Sequence, residues 1–134
     1  MEVYLGLGTN LGQREENLRL ALKKIQESVG AISRLSSTYK TEPWGFQSKN
    51  YFLNAAVCVD TELSPREVLK ATQKIEKEMG RKVKSKNGVY HDRIIDIDIL
   101  LYGDVVVDEP DLKIPHPLIE QRDFVKIPLN EIKK

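Results

Sequence analysis

The chain lacks most of the features that mark secreted, membrane-bound or fibrous proteins. A single cysteine, Cys58, among 134 residues excludes an intrachain disulfide and fits a reducing, cytoplasmic setting. No apolar run approaches the ~18 residues that a membrane helix needs. The opening Met1-Glu2-Val3-Tyr4 has neither the basic start nor the apolar stretch of a secretory signal. Neither sign of charge dominates: 21 Lys and Arg against 20 Asp and Glu leave +1, which argues against a basic nucleic-acid wrapper and an acidic tail protein alike. There is no internal repeat, low-complexity tract or flexible linker, and no Walker A motif, nucleophile elbow or Cys/His metal cluster. Gly6-Leu7-Gly8-Thr9-Asn10-Leu11 begins like a dinucleotide fingerprint, but Gly12 comes one place late and no parallel βαβ pattern with its acidic residue follows. What is present is a globular balance, 40% hydrophobic and 31% charged, and its length makes residues 1–134 one domain.

Residues 2–8 alternate Val3, Leu5 and Leu7 on one strand face, with Gly6 and Gly8 on the other, where something can approach the backbone closely. Leu18, Leu22, Ile25 and Val29 recur at helical spacing, and Gly30 follows as a stop. A weaker strand is expected over 32–39 and a loop over 40–51. A strand over 52–61 carries Leu53, Ala55, Val57 and Val59 on one face. Ser64-Pro65-Arg66-Glu67 is a capping box with proline at the first helical position, leading into Val68, Thr72, Ile75 and Met79. After a polar, basic loop over 81–93, residues 94–102 alternate again: Ile95, Ile97, Ile99 and Leu101 on one face, Ile94, Asp96, Asp98, Leu100 and Tyr102 on the other. Gly103-Asp104 is expected to turn a hairpin into Val105–Val107, and Pro115-His116-Pro117 to open a short last helix. The order βαββαβ predicts an α+β, ferredoxin-like antiparallel sheet with packed helices and an appended β-hairpin.

Asp96 and Asp98 are the strongest chemical signal. At i and i+2 they share a strand face, roughly 6–7 Å apart along the chain. Two such carboxylates repel and are costly to desolvate. A Mg²⁺ ion relieves this and favours carboxylates together with phosphate oxygens; a solvent-facing strand edge, or pairing with nearby basic residues, would do so as well. Arg81, Lys82, Lys84, Lys86 and Arg93 lie close by in sequence, which suits a metal-bound polyphosphate or simply a solvated loop. His116, stiffened by two prolines, either presents an imidazole donor to phosphate or caps the next helix. Phe52 and Asn54 share a face: a ring to stack and a carboxamide to read an edge suit a flat heterocycle, although core packing explains Phe52 equally. Trp44 either joins such a pocket or covers the core, and Glu76 borders the apolar face of its helix, where most glutamates are solvated.

Together these segments resemble the 6-hydroxymethyl-7,8-dihydropterin pyrophosphokinase family of the folate pathway. The matching pieces are Gly6 to Leu11, Tyr39-Lys40-Thr41-Glu42-Pro43-Trp44-Gly45, Phe52-Leu53-Asn54-Ala55-Ala56-Val57, Ile75-Glu76 through Gly80-Arg81, Arg93-Ile94-Ile95-Asp96-Ile97-Asp98-Ile99-Leu100, and Pro115-His116-Pro117 through Arg122-Asp123-Phe124-Val125. They follow the family's order across nearly the whole chain. The resemblance implies transfer of diphosphate from ATP to the pterin hydroxymethyl group, releasing AMP. It implies two Mg²⁺ ions on Asp96 and Asp98, catalytic help from Arg81 and Arg93, and ATP contacts from Glu76, Arg81, Lys84, Arg93, Ile99, His116 and Arg122. Phe52 and Phe124 would sandwich the pterin, and Asn54 with the Thr41, Pro43 and Trp44 segment would read its edge. The expected partners are these small molecules alone, with no nucleic acid and no membrane, for a cytoplasmic monomer. The chain departs from the family's pattern in a basic loop about two residues longer, in Tyr90 at the place of a tryptophan, in Lys82 or Lys84 at that of an arginine, and in an early end after Pro128-Leu129-Asn130-Glu131-Ile132.

Two other classes compete. An RNA-binding module shares the strand order but needs exposed aromatics on its central strands, whereas residues 52–59 hold one aromatic and no glycine. A Mg²⁺-dependent phosphohydrolase would use the same aspartates with water as acceptor. The basic loop yields a direct expectation: like charges at Arg81, Lys82, Lys84 and Lys86 repel until an anion draws them together. Limited trypsin digestion is expected to cleave within 81–93 rapidly in the free protein and slowly once an ATP analogue and pterin are both bound. Deleting Lys84–Asn87 is expected to slow chemistry far more than it weakens pterin binding. Cleavage that ignores both ligands would mark the loop as a plain connection.

Overall fold

A computed structural model describes residues 1–41, 51–80 and 94–133. Its sheet grows from β1 (Glu2–Thr9), which pairs antiparallel on one side with β4 (Phe52–Thr61) and on the other with β5 (Asp96–Tyr102). β2 (Gly30–Leu35) and β3 (Tyr39–Thr41) occupy successive stretches of the far edge of β4, giving the order β2-β4-β1-β5 with β3 beside β2's end. α1 (Arg14–Ser28) and α2 (Pro65–Glu78) pack on one face. This is the ferredoxin-like arrangement expected from the element order, with a hairpin of β6 (Val107–Glu109) and β7 (Leu112–Ile114) appended.

The larger core lies between sheet and helices. Val3, Leu5, Leu7, Val57, Val59, Ile97 and Ile99 from the strands meet Leu18, Ala21 and Ile25 of α1 and Val68 and Ile75 of α2. α2 starts where the sequence signals it: Ser64 Oγ accepts the Glu67 amide at 3.2 Å, and Glu67 Oε1 accepts the Ser64 amide at 2.9 Å. A second core on the opposite face joins Tyr4, Ala56, Cys58 and Leu100 to Val125, Leu129 and Ile132 of α3 (Asp123–Ile132).

Four expectations are corrected. The segment 32–39 is not one strand, because the ladder breaks after Leu35. Ser36 Oγ accepts the Ala56 amide at 2.8 Å in place of a backbone carbonyl, and the chain re-enters the sheet at Tyr39. In β5 the alternation holds through Leu100 and fails after it. Leu5 pairs with Ile99 but Tyr4 with Leu101, so Leu100 is a bulged residue turned into the α3 core. Leu101 therefore leaves the Ile95–Ile99 face, while Tyr102 joins the helix-side core and donates its hydroxyl to Leu63 O. Ile94 packs there too rather than beside the aspartates. Gly103, at φ +51, turns the chain off the sheet, its amide donating to Glu2 O at 2.8 Å; Val105–Val107 does not pair with β5, and the hairpin forms further on, around Pro110-Asp111. The last helix starts at Asp123 instead of after Pro117. His116 Nδ1 takes the Leu118 amide at 3.2 Å, a short 3-10 turn spans Ile119–Gln121, and Arg122 is extended before α3 begins.

α3 is fastened at its far end by charge. Arg34 Nε donates to Ile132 O at 2.8 Å, a cation on the carbonyl end of the helix. Glu131 accepts the Ser37 amide at 2.8 Å, the Ser37 hydroxyl at 3.1 Å and the Tyr39 hydroxyl. The Tyr39 hydroxyl, then the Ser37 amide, hold the Glu131 carboxyl below its ordinary value of 4.5. A carboxyl lowered in the folded state adds stability that is complete above its unfolded pKa and is lost as pH falls through the lowered value. Between about pH 5 and about pH 3 the wild-type protein should therefore lose more stability than Glu131→Gln, read as urea midpoints across that range. Parallel acid limbs for the two proteins would show that Glu131 contributes nothing through its charge.

Candidate functional site

The site residues gather where the face bearing α3 continues past that helix. Register alone aligns Tyr39 of β3, Asn54 of β4, Gly8 of β1 and Asp96 of β5 in one row across the sheet. The next row inward is Ala56, Gly6 and Asp98. With neighbouring strands near 4.8 Å apart, Asn54 and Asp96 stand roughly 10 Å apart across a glycine.

Gly8 is the tight point. A Cβ there would lie 3.1 Å from Asn54 Oδ1 and 3.6 Å from the Phe52 ring, so the close approach read from the sequence is made by these two side chains. Gly6 is less constrained, its nearest neighbour being Leu100 at 3.4 Å. Asn54 is 3% exposed and donates through Nδ2 to Thr41 Oγ1 at 2.7 Å, which turns Oδ1 toward Gly8. Thr41 thus acts here through its hydroxyl, as an orienter of the carboxamide. Phe52 and Phe124 are both half-buried; Phe124 stands in the first turn of α3, 5.7 Å from the Arg122 guanidinium. Arg122 itself is 3% exposed, and burial lowers its pKa from the ordinary arginine value.

Asp96 and Asp98 are half-buried on the same face, as their spacing requires. His116 returns alongside β5, its amide donating to Leu100 O at 3.0 Å. Because His116 Nδ1 accepts the Leu118 amide, a neutral ring carries its proton on Nε2. Burial lowers the His116 pKa below 6.5, against the opposing pull of Asp96, so the ring is neutral at neutral pH and acts as a hydrogen-bond donor. No group of three His, Cys, Asp or Glu side chains able to cage a metal occurs among the described residues. Two carboxylates still fit Mg²⁺, which keeps several waters and takes its remaining oxygens from phosphate rather than from an all-protein cage.

Glu76 departs from the solvated reading. It is 6% exposed, and its Oε2 accepts the Ile97 amide at 2.8 Å on the outer edge of β5, between the two aspartates. Beside that edge is a cavity of about 270 Å³. Ile97, Asp98 and Ile99 form its floor, Leu69 of α2 one wall, and Pro110, Asp111, Leu112 and Lys113 of the hairpin the other; His116 and Pro117 close its end. The sequence reading identified Asp98, Ile99 and His116 but missed Leu69 and the hairpin wall, which belong to no motif and meet only through the fold. Arg81, Lys84, Arg93, Pro43 and Trp44 lie outside the described residues.

The chain is similar to known proteins over nearly its whole length. Residues 4–134 match the family model described as 7,8-dihydro-6-hydroxymethylpterin-pyrophosphokinase. A Porphyromonas gingivalis protein named 2-amino-4-hydroxy-6-hydroxymethyldihydropteridine pyrophosphokinase is 53% identical over 131 residues, 97% of this chain and 89% of its own. An Aquifex aeolicus protein of the same name is 45% identical over 130 residues, 97% of this chain and 79% of its own. Among solved structures, a Plasmodium falciparum HPPK-DHPS chain superposes with TM-score 0.78 at 18% identity, covering 98% of this chain and 39% of that one, which supports the fold.

The Glu76 contact can be tested without any ligand. Glu76→Ala leaves the Ile97 amide buried without this acceptor, and the cost should be about 1–3 kcal/mol in urea unfolding. Glu76→Gln keeps an acceptor oxygen and should lose less. Equal stability of Glu76→Ala and wild type would mean that the contact contributes nothing to the fold.

Proposed function

The chain belongs to the 7,8-dihydro-6-hydroxymethylpterin-pyrophosphokinase family, and from that premise we propose how its residues divide the work. The enzyme transfers diphosphate from ATP to the hydroxymethyl group of 6-hydroxymethyl-7,8-dihydropterin in folate synthesis, with ATP as co-substrate. The hydroxymethyl oxygen bonds to the β-phosphorus, the bridge between α- and β-phosphorus breaks, AMP departs, and the hydroxyl proton leaves to water. No covalent enzyme intermediate is needed; alignment and charge stabilisation carry a transfer of this kind.

One observation supports the division of labour best: the row Asn54, Gly8, Asp96. Asn54 with Phe52 offers an edge and a face to the pterin, Phe124 closes the other face, and Thr41, Pro43 and Trp44 complete the rim. Asp96 and Asp98 hold Mg²⁺, two ions in this proposal, which neutralises phosphate charge when the nucleotide is bound. Gly8 and Gly6 lie between the two subsites and put no side chain in the path. The cavity over Ile97 and Ile99 takes the nucleotide base, since Leu69, Pro110 and Leu112 offer apolar surface to a flat ring while Asp98 and His116, also in its lining, suit the phosphates. The neutral His116 donates from Nε2 to phosphate, and Arg122, Arg81, Lys84 and Arg93 supply the positive charge. Glu76 serves the nucleotide side by fixing the Ile97 amide. We extend the proposal to a single-domain, cytoplasmic monomer without nucleic-acid or membrane partners. No helix among the described residues is long and apolar enough to cross a membrane.

Incubation with ATP, Mg²⁺ and the hydroxymethyl dihydropterin should yield AMP and the pterin diphosphate; free phosphate in their place would identify a phosphohydrolase. Asp96→Asn and Asp98→Asn should each nearly abolish turnover, since a lost metal-ligand charge removes several kcal/mol of transition-state stabilisation, roughly a thousandfold or more in rate. Thermal unfolding should find both variants folded. Near-normal turnover of either at saturating Mg²⁺ would refute the metal assignment.

A further inference from the structure

The outer wall of the nucleotide cavity is the β6–β7 hairpin. β6 and β7 bond only to each other among the described strands, three residues each. Leu112 and Ile114 sink into the core and Val107 packs against it, but the tip from Glu109 to Asp111 reaches beyond these anchors. Among the described residues, a side chain of α2 meets that tip. Arg66 Nη1 bonds Asp111 Oδ2 at 2.7 Å, and Arg66 Nη2 bonds Glu109 Oε1.

The placement of Arg66 is unfavourable without those partners. It stands in the first turn of α2, where the helix dipole favours anions over cations. The two carboxylates of the hairpin offset this, and they flank Pro110, a lining residue of the cavity. Leu69, three residues on from Arg66 and so on the same side of the helix, lines the opposite wall. The Arg66 guanidinium thus ties the two walls together across the gap over β5.

We propose that Arg66 is a positioning residue that sets the width of the nucleotide-base slot, and through it the preference for ATP over other nucleoside triphosphates. This rests on the cavity being the base site. Arg66 touches no substrate in the proposal; it acts through Pro110 and the residues that follow it. Because exposed ion pairs add little to global stability, its loss leaves the fold intact and lowers the fraction of molecules with a closed slot. Apparent affinity falls by that fraction, and discrimination between bases falls with it, because an open wall holds the base less exactly.

The test is calorimetric binding of the α,β-methylene analogues of ATP and GTP, with Mg²⁺, to the whole protein and to Arg66→Ala. The Kd for the ATP analogue should rise roughly three- to tenfold, the ratio of GTP to ATP affinity should move toward one, and Tm and pterin binding should hold. The exchange Arg66→Glu with Glu109→Arg restores an ion pair of opposite polarity and should recover part of the ATP preference. Unchanged ATP-analogue affinity in Arg66→Ala would overturn the proposal. So would an equal loss for both nucleotides and the pterin with a lowered Tm, which marks a merely structural role. If the unaltered protein binds neither analogue, the base site itself is misassigned and the proposal falls with it. If it binds ATP but forms no AMP, only the reading of the reaction fails.

Discussion

The absence of a side chain at Gly8 is the constraint on which the site depends. β1 lies between β4 and β5, so anything projecting from this position would stand between Asn54 and Asp96. A single methyl would come within 3.1 Å of Asn54 Oδ1, tighter than a carboxamide fixed by Thr41 readily yields. Displacing that carboxamide would move a hydrogen-bonding edge that is useful only if held still. The glycine thus serves two subsites at once, allowing Asn54 and Phe52 to fold down over the strand on one side and leaving the way open to the carboxylates on the other.

The sheet can afford a polar, side-chain-poor patch because its stability is generated elsewhere. Its opposite face is a continuous aliphatic layer under two helices, closed by Val3, Leu5, Val57, Val59 and Ile75, all at most 1% exposed. α3 covers only part of the second face and is held by directional bonds at its far end, Arg34 to Ile132 O and Glu131 to Ser37 and Tyr39. Those bonds reach the reading edge itself. Glu131 grips β3 at Tyr39, two residues before the Thr41 hydroxyl that orients Asn54, while the other end of the same helix carries Phe124. One helix therefore links both aromatic and polar parts of the proposed pterin subsite.

Much of this was legible in the sequence, and the exceptions have physical causes. Residues 52–61 alternate cleanly because β4 packs against helices on one face and carries the site and α3 on the other, and the strand runs over those same residues. The capping box at Ser64 and Glu67 is local chemistry and reads correctly from four residues. The bulge at Leu100 does not, because it is a property of pairing: both 94–102 alternations look valid until Tyr4 claims Leu101. The strand break at Ser36 was hidden because a serine hydroxyl can stand in for a ladder acceptor. Glu76 looked solvated because its partner, the Ile97 amide, is a backbone group twenty-one residues away that no side-chain pattern announces. Of the proposed site, Asp96, Asp98, Asn54, Phe52 and His116 stand out as residue types at suggestive spacings, while Phe124 enters only through the family resemblance. The cavity walls were not, since Leu69 and Leu112 are ordinary apolar residues until α2 and the hairpin face each other.

The electrostatics follow from the same geometry. Two half-buried carboxylates stand at i and i+2 on β5, and Glu76 brings a third acidic side chain, itself 6% exposed, to the edge of the same strand. Nearby, Arg122 is a buried cation whose pKa burial depresses, and His116 is held neutral by burial even beside Asp96. For Arg122 and His116 burial makes the charged form more costly than it would be in water. Low local dielectric is also what makes them effective: charge brought by a metal-bound triphosphate interacts more strongly there than at a solvated surface. A metal-bound triphosphate brings opposite charge to both kinds of group, the carboxylates through its metal and the cations through its phosphates, so nucleotide and metal are best bound together.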